Sequence, residues 1–367
     1  MPTHSALRRA LQPAFELAGR QVDTGRVPFA ILGVTDGEGV VRLEAFGSPG
    51  GARIGIDAVC LIASITKPLT AVSVLQLVED GTITLEEPIA RWAPDLVNPD
   101  WAPITAWHVL THTTGIDDVD LESILAHRQG REDLLHHLRA KPQTNPPGGR
   151  FRYVSFTFDL LVEALARHTA EAYESALRRR VLQPLGMTST VFDPAADERL
   201  AVRAAPVAMF QQDGTFAADP GLVAAFTRLH LAGGGLWSSA QDLLRLGRAM
   251  LRDGELDGTR ILSPAFMRLM TAEVTVPGGS RIAGLGSQDD PLRADHYALG
   301  WGKPGVASLG SPGAYGHGGV SGTRLWIEPE LGLTYVYLSG CWGMPREPID
   351  AVEAAIYAGV SALPASS

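Results

Sequence analysis

Strand signals at both ends of the chain, with a long helical stretch between them, restrict the fold more than any other feature of this sequence. Residues 28–35 and 40–46 are rich in Ile, Leu, Val and Phe and are joined by Asp36-Gly37-Glu38-Gly39, a hairpin signal. Comparable segments return only at 298–302, 322–329 and 333–339. An amphipathic helix over 5–24, with Leu7, Leu11, Phe15 and Ala18 at steps of three and four, precedes the first strands. Another closes the chain, with Ile349, Val352, Ile356 and Val360 on one face. Strands at either end must share a sheet to bury their apolar faces. The order helix, strands, helices, strands, helix therefore predicts an α/β (α+β) domain over 1–367. Its antiparallel sheet is built from both chain ends and flanked by the terminal helices. Residues 1–64 and 231–367 form the sheet part, and 65–230 an inserted, mostly helical subdomain.

Inside the insertion, helices are expected at 105–112, 131–139, 155–168 (N-capped by Ser155) and 170–183, the last ended by Pro184-Leu185-Gly186. The stretch 191–230 reads as irregular. Gly233 to Asp242 leads into a helix running to 252, with Ser238 or Ser239 as its cap. Residues 272–295, rich in Gly, Asp and Pro, read as a long exposed loop.

The stretch with most chemical content is Ser64-Ile65-Thr66-Lys67. Residues three apart share a helix face, so Lys67 can reach the Ser64 hydroxyl. A serine hydroxyl is a weak nucleophile until a neighbour takes its proton, and a lysine serves if burial lowers its pKa. The bland alternative is a capping serine beside a solvated lysine. Pro68 in the first turn, the apolar run Leu69, Val72, Leu75, Leu77, Val78 and the stop at Gly81 all favour a helix starting here. Ser64 would then sit at the helix N-terminus, with its own N–H free to bind an oxyanion.

The 367 residues are 45% hydrophobic and 19% charged, ordinary for a globular protein. A net charge of −9 argues against nucleic acid or an anionic membrane as partner. Only three of the 31 basic residues are lysines. Cys60 and Cys341 form neither a disulfide framework nor a zinc spacing, and Cys60 reads as a buried small hydrophobe. His108 and His112 are four apart but lack a third ligand, so no metal or other cofactor is expected. His136-His137 reads as helix surface and Asp117-Asp118 as a solvated loop. The N-terminus lacks the apolar core of a signal peptide and no stretch is long enough to span a bilayer, so the chain as given reads as cytoplasmic.

Five stretches occur in an order that resembles the serine penicillin-recognising hydrolases, the group of class C β-lactamases, serine DD-carboxypeptidases, D-aminopeptidases and family VIII carboxylesterases. They are Ser64 to Lys67, Leu110 to Ile116 (Leu-Thr-His-Thr-Thr-Gly-Ile), Pro147 to Ser155 (Pro-Gly-Gly-Arg-Phe-Arg-Tyr-Val-Ser), Gly234 to Asp242, and Tyr315 to Gly322 (Tyr-Gly-His-Gly-Gly-Val-Ser-Gly). The resemblance implies that Ser64 becomes acylated, that Lys67 helps deprotonate it, and that Tyr153 shuttles the proton to the leaving group. Which of Lys67 and Tyr153 is the base stays open. It implies an oxyanion hole from the N–H groups of Ser64 and Val320. It also implies a substrate-binding set of Ser155 and an edge strand with His317, Gly318 and Gly319, where His317 donates to a substrate carboxylate or to the Tyr153 oxygen. His112 matches the family's structural histidine.

Two departures bear on substrate. Ser155 stands where many members have asparagine, and His317-Gly318-Gly319 stands where β-lactamases have Lys-Thr-Gly. Both weaken a β-lactamase reading. The expectation is a serine hydrolase acting on a small ester, amide or β-lactam-like molecule, with a carboxylesterase on short acyl esters first. A D-amino-acid peptidase or amidase, a weak β-lactamase, an acyltransferase of the same mechanism and a non-catalytic binding protein on this fold are the alternatives.

Overall fold

The computed structural model describes residues 3–120, 130–274, 296–305 and 308–363. Its largest sheet has five antiparallel strands in the order β2-β1-β5-β4-β3, where β1 is Ala30–Asp36, β2 Val40–Phe46, β3 Tyr315–Gly319, β4 Thr323–Glu328 and β5 Leu333–Leu338. The N-terminal hairpin and the C-terminal strands meet at β1 and β5, with Ile31 opposite Leu338 and Asp36 opposite Leu333. The sheet expected from both chain ends is thus present. Asp36 closes the first hairpin, its Oδ1 accepting from the N–H groups of Glu38 (2.8 Å) and Gly39 (2.9 Å).

Alternation along the strands sends side chains to two layers. Leu32, Val34, Tyr335 and Tyr337 face helix α1 (Gln12–Asp23) and the C-terminal helix Glu347–Ser361, where Ile349, Val352, Ile356 and Val360 are all buried. Each such side chain contributes about 1.5–3 kcal/mol. Ile31, Val336 and Leu338 face the other way, into the core shared with Leu243 and Leu244 of helix Ala240–Leu251 and with the helical block.

Several expected elements come out differently. The helix over 5–24 is two, His4–Ala10 and α1, broken at Leu11 because Pro13 fits only a first turn. The 155–168 helix runs Thr157–Thr169 with Phe156 at its N-cap, so Ser155 is not the cap. The 170–183 helix is a short turn, Tyr173–Leu177, continued by a π turn over Arg178–Leu182. The "irregular" stretch holds strands Ala208–Phe210 and Phe216–Ala218, paired to each other, the first also to Cys341–Trp342, and helix Pro220–Arg228 capped by Asp219. Residues 298–302 join no ladder. They form a turn in which the Ala298 N–H donates to the Trp301 carbonyl, with bridging only through Gly302. Of the loop expected at 272–295, residues 275–295 lie outside the described residues. Ser239 is the cap of helix Ala240–Leu251, as one of the two serines expected there. Among the described residues, no helix is long and apolar enough to cross a membrane.

Candidate active site

Ser64 sits in a single 3-10 turn, Ala63–Ile65, between the short strand Val59–Leu61 and helix α2 (Thr66–Glu79). Ala63 just before it has φ 46°, in the left-handed region. That conformation costs an alanine about 1–2 kcal/mol, so the surroundings must hold it. They do so from three directions. Thr66 Oγ1 donates to the Ala63 carbonyl at 2.7 Å. Thr323 Oγ1 donates to the Ile62 carbonyl at 3.1 Å, and Ser321 Oγ to that of Leu61 at 2.6 Å. The last two come from the far end of the chain and clamp the end of β3 onto the serine turn. A Cβ on Gly319 would lie 2.4 Å from the Ile62 carbonyl and 3.2 Å from the Ala63 methyl. Gly319 therefore makes room for the serine turn. Gly318 meets no such contact, only the Thr323 carbonyl at 3.5 Å.

Lys67, in the first turn of α2, is wholly buried. Its Nζ lies 2.7 Å from the Gly233 carbonyl, 3.1 Å from Ser64 Oγ and 3.3 Å from Ser155 Oγ. A Cβ on Gly233 would sit 2.5 Å from the Ser155 carbonyl, so only glycine brings its carbonyl in to the ammonium. Burial lowers the Lys67 pKa to about 7, against the opposing pull of the Asp118 and Asp159 carboxylates. Once neutral, the amine keeps two donors for Gly233 and Ser155 and turns a lone pair to the Ser64 hydroxyl.

Tyr153 lies on the loop before helix α3 (Thr157–Thr169). The backbone on both sides of it is held. The Arg152 N–H donates to the His112 carbonyl (2.8 Å), that of Val154 to His112 Nδ1 (3.1 Å), and that of Ser155 to Asp118 Oδ2 (2.9 Å). The His112 ring packs on the Tyr153 ring, centroids 4.3 Å apart. The phenol is acted on by the nearby Ser64 and Ser155 side chains, and Lys67 Nζ lies 4.6 Å from the ring centroid. Burial, the largest influence, pushes the phenol above the usual tyrosine range. Serine, lysine, tyrosine and a second serine thus share one polar cluster, suited to moving a proton off Ser64.

Residues 15–358 match the family described as Beta-lactamase. The chain belongs to the beta-lactamase family. It is 30% identical to Protein Rv1367c of Mycobacterium tuberculosis, over 86% of each chain. It is 29% identical to Esterase EstB of Burkholderia gladioli, over 82% of this chain and 83% of that one. It is 25% identical to the D-alanyl-D-alanine-carboxypeptidase/endopeptidase AmpH of Escherichia coli, over 77% and 72%. Among solved structures, EstCE1, "a hydrolase with promiscuous acyltransferase activity", superposes with a TM-score of 0.78 at 20% identity, covering 96% of this chain and 99% of that one. This beta-lactamase-fold family of serine hydrolases includes esterases, acyltransferases and DD-peptidases.

Within this family frame, the described structure corrects two site expectations. Among the described residues, His317 makes no hydrogen bond to Tyr153. Its Nδ1 faces the Gly318 carbonyl (2.7 Å), its Nε2 faces the Tyr297 hydroxyl (3.0 Å), and burial next to Lys67 lowers its pKa to about 3. Asp118 is half-buried and bonded to backbone rather than free in a loop. It caps the N–H groups of Ser155 and Phe156 and acts on Lys67 through its charge. Val320 follows β3, its carbonyl held by the Gly343 N–H at 2.8 Å. Cys60 is buried as expected, and burial pushes its thiol up to about 12. His136 and His137 are exposed. A surface cleft of about 470 Å³ lined by Glu16, Arg20, Asp23 and Arg53 contains none of these residues.

Three contributors were not read from the sequence. Gly233 supplies the lysine's best acceptor. Asp159, fully buried on α3, accepts from the Ala232 N–H at 2.9 Å and so fixes the turn presenting Gly233. Tyr297 bridges His112 and His317. An aspartate in the first turn of a helix reads as a partner of the helix dipole, and nothing local marks it as a support for Lys67.

Proposed function

We propose that this protein is a carboxylesterase that hydrolyses short-chain acyl esters through an acyl-enzyme on Ser64. Neutral Lys67 takes the Ser64 proton as the hydroxyl attacks the ester carbonyl. A base poised near pH 7 is what proton transfer at neutral pH requires. The raised Tyr153 pKa supports a neutral phenol at rest, which relays that proton to the leaving alkoxide rather than abstracting it. The N–H groups of Ser64 and Val320 receive the developing oxyanion. Water, deprotonated by the same cluster, then releases the acid.

The observation that carries the ester reading is the state of His317. β-Lactams and D-alanyl peptides present a carboxylate, and the strand position that would meet it holds a neutral ring whose nitrogens are both engaged. Ser155 supports the same reading, because its hydroxyl is drawn into the Lys67 and Tyr153 cluster instead of reaching toward a substrate amide. The likeness to Esterase EstB agrees with it.

The test compares kcat/KM for p-nitrophenyl butyrate and nitrocefin, with Ser64→Ala as blank. A Ser64-dependent preference for the ester of about 10²-fold or more is expected, the scale set when a charged group meets no partner. Preference for the β-lactam overturns the reading, and turnover of neither redirects it to D-peptides or amides. Tyr153→Phe should lower kcat for the ester by about 10²-fold. A loss under tenfold would assign the ring to packing alone.

A further inference from the structure

The loop carrying Tyr153 and the edge strand β3 are joined by a chain of polar atoms whose direction of donation is set at both ends. At one end the Val154 N–H donates to His112 Nδ1 (3.1 Å). At the other, His317 Nδ1 lies 2.7 Å from the Gly318 carbonyl oxygen. A backbone N–H only donates and a carbonyl only accepts. His112 Nδ1 is therefore bare and His317 Nδ1 carries a proton. Both rings are buried, and that burial, more than any neighbouring charge, keeps them neutral. A neutral imidazole has one N–H, so His112 carries its proton on Nε2 and His317 Nε2 is bare. Tyr297 Oη stands between them, 3.2 Å from His112 Nε2 and 3.0 Å from His317 Nε2. It accepts from the first and donates to the second. Every member is satisfied, and only one pair of tautomers allows it.

We infer that Tyr297 is a positioning and specificity-determining residue: it ties the Tyr153 loop to β3 and keeps the His317 donor turned from the substrate, so that the site takes esters with uncharged leaving groups and rejects those bearing a carboxylate. The substrate class rests on the esterase reading above; the bridge does not. Tyr297 is itself fixed. The Val274 N–H donates to its carbonyl at 2.7 Å, and the Gly300 N–H donates to that of Leu110, beside the His112 turn, at 2.9 Å. A carboxylate brought to His317 would lose its water and find no hydrogen there, a loss larger than any contact its carbon skeleton gains. The cations that act on His317 do not replace it. Lys67, from α2, is engaged by Gly233, Ser64 and Ser155. Arg324, from β4, pairs with Glu353 at 3.1 Å and lies over the Trp326 ring.

The bridge is tested on the resting protein by ¹⁵N spectra of labelled histidine at pH 7, assigned by single replacement of each ring. His112 is expected as the Nε2–H tautomer and His317 as the Nδ1–H tautomer. Like tautomers, or a protonated ring, overturn the bridge. Specificity is tested with Tyr297→Phe against wild type on phenyl butyrate and 3-carboxyphenyl butyrate, which share an acyl group and differ by one carboxylate on the leaving group. The variant should lose about tenfold in kcat on phenyl butyrate with KM little changed, as expected for a displaced catalytic loop. It should also narrow the wild-type preference for the uncharged ester by about tenfold, since the freed imidazole can now donate. Equal losses on both esters, with the preference unchanged, overturn the specificity role. Wild-type protein that turns over neither ester brings down the esterase reading and the substrate half of this proposal, while the tautomers still decide the bridge.

Discussion

With alanine at position 64, hydrolysis of p-nitrophenyl butyrate falls by roughly 10⁴-fold or more, the scale of loss when a covalent nucleophile is removed. The fold should survive the change. The serine turn is held by Thr66, Ser321 and Thr323, none of which uses the Ser64 hydroxyl. Lys67 keeps its shortest contact, to Gly233 at 2.7 Å. The melting temperature of Ser64→Ala should therefore stay within the few degrees that about 1 kcal/mol represents. Full residual activity in a folded variant would place the nucleophile elsewhere and remove the basis of the proposed mechanism.

Lys67→Ala should cost about 10²-fold or more in kcat, and the wild-type pH profile should show why. The working form of Lys67 is the neutral amine, whose folded pKa is near 7. Below that, kcat/KM should fall about tenfold per pH unit; above it, the rate should level off. Asp118 and Asp159 oppose the lowering, so Asp118→Asn should move the inflection to lower pH. The sign carries over to stability. Between about 7 and the ordinary lysine value of 10.5 the unfolded chain binds a proton that the folded one does not. Stability contributed by this group therefore rises with pH across that window, and Lys67→Ala abolishes the rise. A profile flat through pH 7 would show that Lys67 is not the base.

The reach from Lys67 to Ser64 was legible because it is local, set by helix geometry alone. Tyr153 was legible through its motif, and the sheet through the strand signals at both ends. The rest depends on partners far away in the chain. Tyr297 is 185 residues from His112 and 20 from His317, so no window of sequence shows that one hydroxyl decides both tautomers and points the His317 donor inward. Asp118 looks like its neighbour Asp117 until the Ser155 and Phe156 amides fold onto it. The strands at 208–210 and 216–218 are three residues each and acquire a further partner only when Cys341–Trp342 arrives. Residues 298–302 have strand composition, but the Ala298 N–H and Trp301 carbonyl close a turn, and the Leu299 and Gly300 N–H groups go to the carbonyls of Met270 and Leu110.

The pairing of Ile31 with Leu338 also governs the birth of the molecule. A ribosome adding about 5–20 residues per second needs roughly 15–60 s to travel between those two positions. During that interval the N-terminal hairpin has an open edge, and α1 lacks the terminal helix that covers it. The clamp on the serine turn comes from Ser321 and Thr323, so the nucleophile is held in its strained conformation only after those residues have been made. Nascent chains should accordingly be inert and prone to association, and their maturation sensitive to anything that shields a bare strand edge.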